Sequence, residues 1–256
     1  VIAVTGLGGH AFGSWKAKNG DFMWLRDALP TDISGLRILT YGYESSLIGS
    51  TSFASIPSYA TELLHSLMGA RCHDDVQRPP VFICHSLGGL VVKEVSLVAA
   101  ATAHTSATDQ MLKSTAGLLL YGVPNRGLSI ESLRPMVHGQ PNHALVDDMR
   151  PESTFLDTLH RNFCNHFTFA DSEIISFWET KQSPTAREQG DGTWKMNGPM
   201  EVLVSKSSAT GSRPNEPLFN DYPINATHSE IVKFKTPMDG NYTLVRDKVK
   251  QFRDEA

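Results

Sequence analysis

The sequence has little of what marks disulfide-rich, membrane-spanning or nucleic-acid-binding proteins. It contains three cysteines in 256 residues, none in C-x-x-C spacing, which argues against a disulfide framework or a zinc ribbon and favours a reducing, cytoplasmic location. Its most apolar stretch, residues 88–101, contains Lys93 and Glu94 and is too short to span a bilayer. The net charge is −4 and the basic residues are scattered, so nucleic acid is not an expected partner.

Length and composition predict one domain that spans residues 1–256. Hydrophobic residues make up 40% of the chain and charged residues 20%, which provides enough apolar material for one sizeable core. The chain begins directly on the aliphatic run Val1-Ile2-Ala3-Val4, a pattern typical of a core strand. This opening is what we expect of a fragment of a longer multidomain protein.

Short aliphatic runs alternate with helical patterns, which predicts an α/β fold with a mostly parallel central sheet and helices on both faces. The predicted strands are residues 1–5, 36–41, 81–84, 117–121, 173–178 and 200–204. The predicted helices include residues 23–29, 58–68, 87–101 and 155–163. Residues 182–199 are rich in glycine, proline and polar residues and are predicted to form a long loop.

The sequence Cys84-His85-Ser86-Leu87-Gly88-Gly89 lies between the third predicted strand and a helical pattern. A serine in such a strand-turn-helix needs small residues two positions before and two after it, because strand and helix pack closely there. Gly88 meets this need, and Cys84 is a small substitute for glycine. A Ser-x-Gly triplet is common by chance, but the flanking strand and helix favour Ser86 as a nucleophile.

A serine nucleophile needs a base and a carboxylate, which in this arrangement follow it along the chain in loops after later strands. His228 is the preferred base because it follows the last predicted strand, whereas His85 adjoins the serine and His10 lies in a glycine-rich turn. Glu179 directly follows its strand and is the preferred acid. Asp221, in the same connection as His228, remains the alternative.

The turn after the first strand, Thr5-Gly6-Leu7-Gly8-Gly9-His10, is rich in glycine. We expect the backbone amides of Leu7 and Leu87 to bind an oxyanion, with Leu87 at the positive end of a helix. This chemistry requires no metal and no organic cofactor. The turn also fits a loose dinucleotide-binding pattern, Gly6-x-Gly8-x-x-Ala11, but loop-like residues follow it and no acidic residue ends the second strand.

Candidate substrate-binding residues lie near the predicted nucleophile. Gly8 is in the glycine-rich turn, His85 adjoins the serine, and the aromatic side chains of Trp15 and Tyr41 suit an apolar acyl chain. Aromatic residues at strand ends are also typical of a core, so both interpretations stay open for Trp15 and Tyr41. The candidates for a lid are residues 129–151 and 182–199.

Seven segments together resemble the α/β-hydrolase branch that contains serine active-site-containing proteins and GPI inositol-deacylases. The segments are Leu7-Gly8-Gly9-His10, Trp24-Leu25-Arg26-Asp27, Arg37-Ile38-Leu39-Thr40-Tyr41-Gly42-Tyr43, residues 84–89, Tyr121-Gly122-Val123-Pro124-Asn125-Arg126-Gly127, Glu179-Thr180-Lys181 and His228-Ser229. The resemblance covers nearly the whole chain and is strongest with fungal members, in which such a domain often precedes the nucleotide-binding and repeat regions of NLR-like proteins. Thr5 and Asn125 stand where many relatives have histidine, which bears on substrate fit and loop packing.

This resemblance implies an α/β-hydrolase fold, a triad of Ser86, Glu179 and His228, and hydrolysis of carboxylic esters with lipid or acyl groups. The implied partners are a small-molecule or lipid ester, a transient contact with membrane or lipid, and covalently linked NLR-type domains.

Three functions therefore enter as hypotheses. The leading one is a serine esterase or lipase-like hydrolase that works through an acyl-enzyme, which an alcohol can capture in place of water. The alternative is a signalling or interaction module that keeps the fold with little or no activity. The third, a dinucleotide-dependent oxidoreductase, rests only on the pattern from Gly6 to Ala11.

Overall fold

A computed structural model describes residues 1–71, 78–101, 111, 113–167, 172–211 and 217–255. Within these residues the strands are β1 (Ile2–Val4), β2 (Leu39–Tyr41), β3 (Val81–His85), β4 (Gly117–Tyr121), β5 (Glu173–Glu179), β6 (Ser183–Pro184), β7 (Arg187–Glu188), β8 (Trp194–Lys195), β9 (Met200–Glu201) and β10 (Asp221–Ile224). The α-helices are α1 (Trp24–Asp27), α2 (Leu29–Asp32), α3 (Ile56–Ala70), α4 (Leu87–Ala101), α5 (His143–Asp148), α6 (Thr154–His166), α7 (Lys206–Ala209) and α8 (Gly240–Glu255).

Six strands form one parallel sheet in the order β10-β5-β4-β3-β1-β2. The central strands β3 and β4 carry aliphatic and aromatic side chains on both faces and are almost wholly buried. Because the strands are parallel, their carboxyl ends share one edge, and the loops that leave this edge lie beside one another. The predicted α/β architecture is confirmed.

Successive residues of each strand enter two separate cores, one on each face of the sheet. Phe82 and Cys84 of β3 pack with α3, α4 and α6 on one face. Ile83, between them, packs on the other face with α1, α2 and α8. The sheet is therefore covered by helices on both sides, and the strand ends are held from both faces.

The sixth strand lies later in the chain than the predicted residues 200–204, so that prediction is wrong. Met200 and Glu201 form β9, which pairs antiparallel with β6 outside the main sheet. The sixth strand is β10, which contains Pro223 and lies at the sheet edge beside β5. Proline cannot donate to a strand ladder, so an edge position suits it and its presence obscures the strand signal in the sequence.

Residues 182–199 differ from expectation. Predicted to be one loop, they contain β6 and the small antiparallel ladder of β7 and β8. Residues 129–151, the other candidate lid, contribute buried side chains to the core on the α4 face, including Val137 and Val146. A lid role for either segment stays a prediction.

The longer predicted helices are confirmed with modest shifts at their ends. The α3 helix begins at Ile56 because Ser55 caps it, accepting from the Ser58 amide in a capping box. The predicted helix over residues 23–29 is two short helices, α1 and α2, that meet at Ala28. The α8 helix was not predicted, although Tyr242, Val245, Val249 and Phe252 repeat at helical spacing and are buried. None of the helices in the described ranges has the length and apolarity to cross a membrane.

Candidate active site

The turn between β3 and α4 places Ser86 at the carboxyl edge of the sheet. Ser86 has φ of +51°, a strained value for a residue with a side chain, and its amide donates to the Tyr121 carbonyl at 2.9 Å. A Cβ at Gly88 would overlap the carbonyl oxygens of Thr5 and Val4, so only glycine lets α4 begin this close to β1. The sharp turn expected from the sequence is present.

The imidazole of His228 lies directly against Ser86. Its Nε2 is 3.0 Å from Ser86 Oγ, and its ring is buried. His228 reaches this position in the loop after β10, and its backbone amide donates to Ser183 Oγ at 3.0 Å. The structure therefore brings the predicted nucleophile and the predicted base into hydrogen-bond contact.

The carboxylate of Glu179, the last residue of β5, lies on the other side of this imidazole. Its Oε2 is 2.6 Å from His228 Nδ1, and its Oε1 accepts from the amides of Leu203 and Val204 at 3.0 and 3.2 Å. Glu179 is 2% exposed, so nearly all its hydrogen bonds must come from the protein. These contacts fix both of its oxygens.

Asp221 lies at the opposite end of its strand from this cluster. It opposes Ser176 in the sheet, whereas Ile224, three residues later, opposes Glu179. Three residues of strand separate the two levels by about 10 Å. Of the two acid candidates, the structure thus places Glu179 and not Asp221 against His228.

Two backbone amides beside Ser86 donate no hydrogen bond within the described part of the chain, those of Leu7 and Leu87. Leu87 is the first residue of α4, where amides and the helix dipole favour negative charge. Leu7 lies in the turn after β1, which approaches Ser86 so closely that a Cβ on Gly6 would lie 2.9 Å from Ser86 Cβ. The two predicted oxyanion donors therefore lie in two neighbouring turns and remain free to bind a ligand.

The loop after β2 holds the glycine-rich turn in place. Ser45 accepts from the Gly8 amide with both its carbonyl oxygen, at 3.1 Å, and its Oγ, at 3.0 Å. The hydroxyl of Tyr43 donates to the Thr5 carbonyl at 3.0 Å. These bonds occupy the Gly8 amide, whereas the Leu7 amide donates no hydrogen bond within the described residues. Gly8 itself is exposed, and its role toward a substrate stays a prediction.

One predicted substrate-binding residue, Trp15, proves to be a core residue, and that prediction is wrong. Trp15 is fully buried and packs edge-on against Trp24, with ring centroids 6.3 Å apart, which leaves no surface for a ligand. Tyr41 faces the α3 side of the sheet near Glu62, where burial raises its pKa to about 12. Tyr41 is only half-buried, and its role toward a substrate stays a prediction.

His85 and His10, the other two histidines considered from the sequence, are committed to the backbone. His85 Nε2 lies 2.9 Å from the His228 carbonyl oxygen, and the role of His85 toward a substrate stays a prediction. His10 Nδ1 accepts from the amides of Phe12 and Gly13 at 3.2 and 3.1 Å. This bonding folds the turn into a 3-10 helix at Gly13–Trp15 instead of the longer helix that a dinucleotide site requires.

Sequence reasoning missed the groups that hold this cluster. Ser183, Ser45 and the amides of Leu203 and Val204 contribute through folded loops, and their spacing in the sequence gives no signal. Gly122 lies against the His228 ring, where a Cβ would not fit. The sequence could have indicated this residue, because it directly follows a buried strand in Tyr121-Gly122-Val123-Pro124.

The arrangement has a defined chemical capacity. A hydroxyl bonded to one imidazole nitrogen, with a carboxylate at the other, can lose its proton to the imidazole while the carboxylate stabilises the imidazolium. Donor amides beside the hydroxyl can receive charge that develops on a carbonyl oxygen. Within the described ranges no group of three or more His, Cys, Asp or Glu side chains is arranged to hold a metal ion.

Comparison with curated proteins finds distant relatives. The chain is 29% identical over 203 residues to Protein SERAC1 of Danio rerio and 27% identical over 201 residues to Protein SERAC1 of Bos taurus. Each alignment covers 70% of this chain and 30% of the relative, so the chain spans about 30% of the length of the curated relatives it matches. No family model matches the chain.

Solved structures share the architecture over nearly the whole chain. The mature lipase BlEst2 of Bacillus licheniformis superposes with a TM-score of 0.57 at 12% identity, covering 98% of this chain and 90% of the lipase. This is an α/β-hydrolase fold. An α/β-hydrolase superfamily protein from Enterococcus faecalis superposes with a TM-score of 0.51 at 10% identity, covering 99% and 89% of the two chains. At these sequence identities the superpositions compare the fold alone. The α/β-hydrolase fold expected from the sequence is thus confirmed.

Proposed function

We propose that this α/β-hydrolase domain is a serine hydrolase of carboxylic esters, with Ser86 as nucleophile, His228 as general base and Glu179 as the acid of the triad. The observation that carries the proposal is the continuous chain of hydrogen bonds from Ser86 Oγ through His228 to Glu179. It begins at a serine held in a strained turn at the carboxyl edge of the sheet. This combination is the nucleophile arrangement of the fold.

The first half of the reaction forms an acyl-enzyme. Ser86 Oγ attacks the ester carbonyl carbon as His228 Nε2 takes its proton, and the carbonyl oxygen becomes an oxyanion that the Leu7 and Leu87 amides bind. The tetrahedral intermediate then collapses, and His228 returns the proton to the departing alcohol. Glu179 keeps the Nδ1 proton directed toward itself, so that Nε2 is free to accept.

The second half releases the acid. Water, deprotonated by His228, attacks the acyl carbon, and the same two amides bind the second oxyanion. Ser86 leaves with the proton from His228, which restores the starting state. An alcohol in place of water would give a new ester, so acyl transfer is the same chemistry with another acceptor.

The comparisons support this proposal at the level of chemical class. The solved neighbour from Bacillus licheniformis is a lipase, and its fold is shared over nearly the full chain. We extend the proposal to lipid or acyl esters as substrates, with transient contact to membrane or lipid. Membership of the fungal branch, linked NLR-type domains and a cytoplasmic location remain proposals from the sequence resemblance.

The decisive experiment is labelling of the purified protein with a fluorophosphonate, followed by turnover of short and long acyl esters. Ser86→Ala and His228→Ala should each abolish labelling and lower turnover by about 10³-fold or more, while circular dichroism stays unchanged. A folded wild-type protein that the probe leaves unlabelled would contradict the proposal and favour the interaction module. Labelling that survives Ser86→Ala would place the nucleophile elsewhere.

A further inference from the structure

His85 joins three parts of the active-site edge. It ends β3 and directly precedes Ser86, its Nε2 lies 2.9 Å from the His228 carbonyl oxygen, and a Cβ on Gly6 would lie 3.1 Å from its Nδ1. Its imidazole is thus placed between the turn that carries the Leu7 amide and the loop that carries the base.

The hydrogen bond to His228 fixes the tautomer of His85. A carbonyl oxygen can only accept, so the proton must reside on His85 Nε2. The rings of His85 and His228 lie 5.0 Å apart, and the Lys233 ammonium also acts on His85. Burial, followed by these two neighbours, lowers the pKa of His85 to about 3, so its imidazole is a neutral donor at ordinary pH.

The main chain of His228 is held on both sides by side chains. Ser183 Oγ accepts from its amide at 3.0 Å, and His85 donates to its carbonyl at 2.9 Å. The imidazole itself is held by Ser86 and Glu179. Without the His85 bond, the peptide that carries the base loses the contact that ties it to the strand bearing the nucleophile.

We propose that His85 is a positioning residue, whose Nε2–H holds the His228 carbonyl and thereby sets the distance between His228 Nε2 and Ser86 Oγ. This inference rests on the proposed hydrolase function. His85 touches neither substrate nor the reacting atoms in this role. It acts through the placement of the base, where a displacement of about 1 Å can cost on the order of 10²-fold in rate.

Two amide substitutions make a matched test because they differ by one methylene. In His85→Gln the side-chain nitrogen reaches the place of Nε2 and can donate to the carbonyl, whereas in His85→Asn it stops at the place of Nδ1. We expect kcat for a p-nitrophenyl ester to stay within about threefold of wild type in His85→Gln. In His85→Asn we expect kcat to fall about 10- to 100-fold, with KM within about twofold.

A second measurement does not depend on activity. The proton on His228 Nδ1, shared with Glu179, should give a low-field signal in a one-dimensional proton NMR spectrum. We expect this signal in wild type and His85→Gln, and its loss or displacement in His85→Asn, at a temperature where circular dichroism shows all three folded. This readout follows the placement of the base and is not moved by a general loss of stability.

The outcomes separate the two proposals. Equal kcat and an unchanged low-field signal in the Gln and Asn variants would overturn the role of His85. A loss that appears in KM alone would also overturn it, because that result indicates substrate contact. If fluorophosphonate fails to label even the wild type, the proposed function fails, and the NMR comparison still decides whether His85 positions His228.

Discussion

Gly122 shows how a single hydrogen atom in place of a side chain shapes the site. A Cβ at this position would lie 2.9 Å from His228 Cε1 and 3.0 Å from Nδ1, and the residue has φ of +54°. The imidazole occupies the space that any other residue would need. The position after β4 therefore needs glycine for two reasons: the turn has a positive φ, and the His228 ring fills the space of a side chain.

We expect Gly122→Ala to displace His228 and to lower kcat about 100-fold. We also expect it to lower the free energy of unfolding by about 1–2 kcal/mol, because an alanine is strained in the left-handed backbone conformation. Gly139→Ala is the matched control, because Gly139 has φ of +71° but nothing within 4 Å of its Cβ position. Ester turnover and urea unfolding of both variants measure the two effects. Equal activity loss in both variants would show that strain, rather than contact with the imidazole, is responsible.

The carboxylate of Glu179 makes a second residue-level prediction. In Glu179→Gln the amide oxygen is needed by the Leu203 and Val204 amides, so the NH2 group must face His228 Nδ1. That places the imidazole proton on Nε2, where it can no longer accept from Ser86. We expect kcat to fall by about 10⁴-fold with the fold retained.

Asp221→Asn supplies the control for the acid. Its carboxylate is at the amino end of β10, so we expect ester turnover close to wild type. Steady-state kinetics of the two variants side by side decide between the carboxylates. A severe loss in Asp221→Asn with little loss in Glu179→Gln would reverse the assignment.

These residues also show how far the sequence predicts the site. Ser86, Glu179 and His228 follow from strand ends and chain order, because a parallel sheet brings its carboxyl ends to one edge. Trp15 and Tyr41 could not be assigned this way, since an aromatic residue near a strand end has the same pattern whether it faces a ligand or the core. The second oxygen of Glu179 is satisfied by backbone amides, which carry no sequence signal.

At the scale of elements, the segment that delivers the Leu203 and Val204 amides is docked on the turn after β4. Asn125 Nδ2 and its backbone amide both donate to the Ser208 carbonyl, at 2.9 and 3.1 Å, and the Ser129 amide donates to Leu203 at 2.9 Å. This docking uses residues 203–208 in a loop and in α7, which is why they do not form the predicted sixth strand. The strand pattern of residues 200–204 depends on neighbouring residues alone, whereas the hydrogen-bond partners of residues 203–208, Asn125 and Ser129, lie more than 70 residues earlier in the chain.

The helix α4 reaches the same turn through a buried lysine. Lys93 is 1% exposed, its Nζ lies 2.6 Å from Asn125 Oδ1 and 4.7 Å from the centre of the Phe163 ring of α6, and burial lowers its pKa to about 7. In the unfolded chain its pKa is about 10.5, so between these values the unfolded state binds more protons. The contribution of Lys93 to stability therefore rises with pH across this range.

We expect the unfolding free energy of wild type, relative to Lys93→Met, to increase between pH 7 and pH 9 by up to about 1.4 kcal/mol per unit. Below pH 7 both states carry the charge, and the difference should level off. Urea unfolding at pH 6, 7, 8 and 9 measures it, and groups common to both proteins cancel. Parallel stability curves for the two proteins would show that Lys93 keeps an ordinary pKa in the fold.

At the scale of the whole molecule, the carboxyl edge of the sheet is where the loops of the candidate active site meet. The loops after β1, β3, β5 and β10 leave this edge and contact one another there. His85 is central among these contacts, since it bonds to the loop after β10 and borders the turn after β1. The sequence predicts which strands form the sheet, but such cross-contacts depend on packing that no local pattern encodes.

The burial of His85 predicts that the folded protein loses stability in acid. The pKa of His85 is about 3 in the folded protein, compared with an unperturbed value of 6.5. Below pH 6.5 the unfolded state therefore binds a proton that the folded state does not bind. We expect stability to fall between pH 6.5 and pH 5 by up to about 1.4 kcal/mol per unit from this residue. His85→Gln keeps the donor but cannot titrate, so its urea unfolding free energy should fall less steeply over the same interval. Because carboxylates titrate mainly below this interval and are shared by both proteins, identical slopes would mean that folding does not lower the pKa of His85.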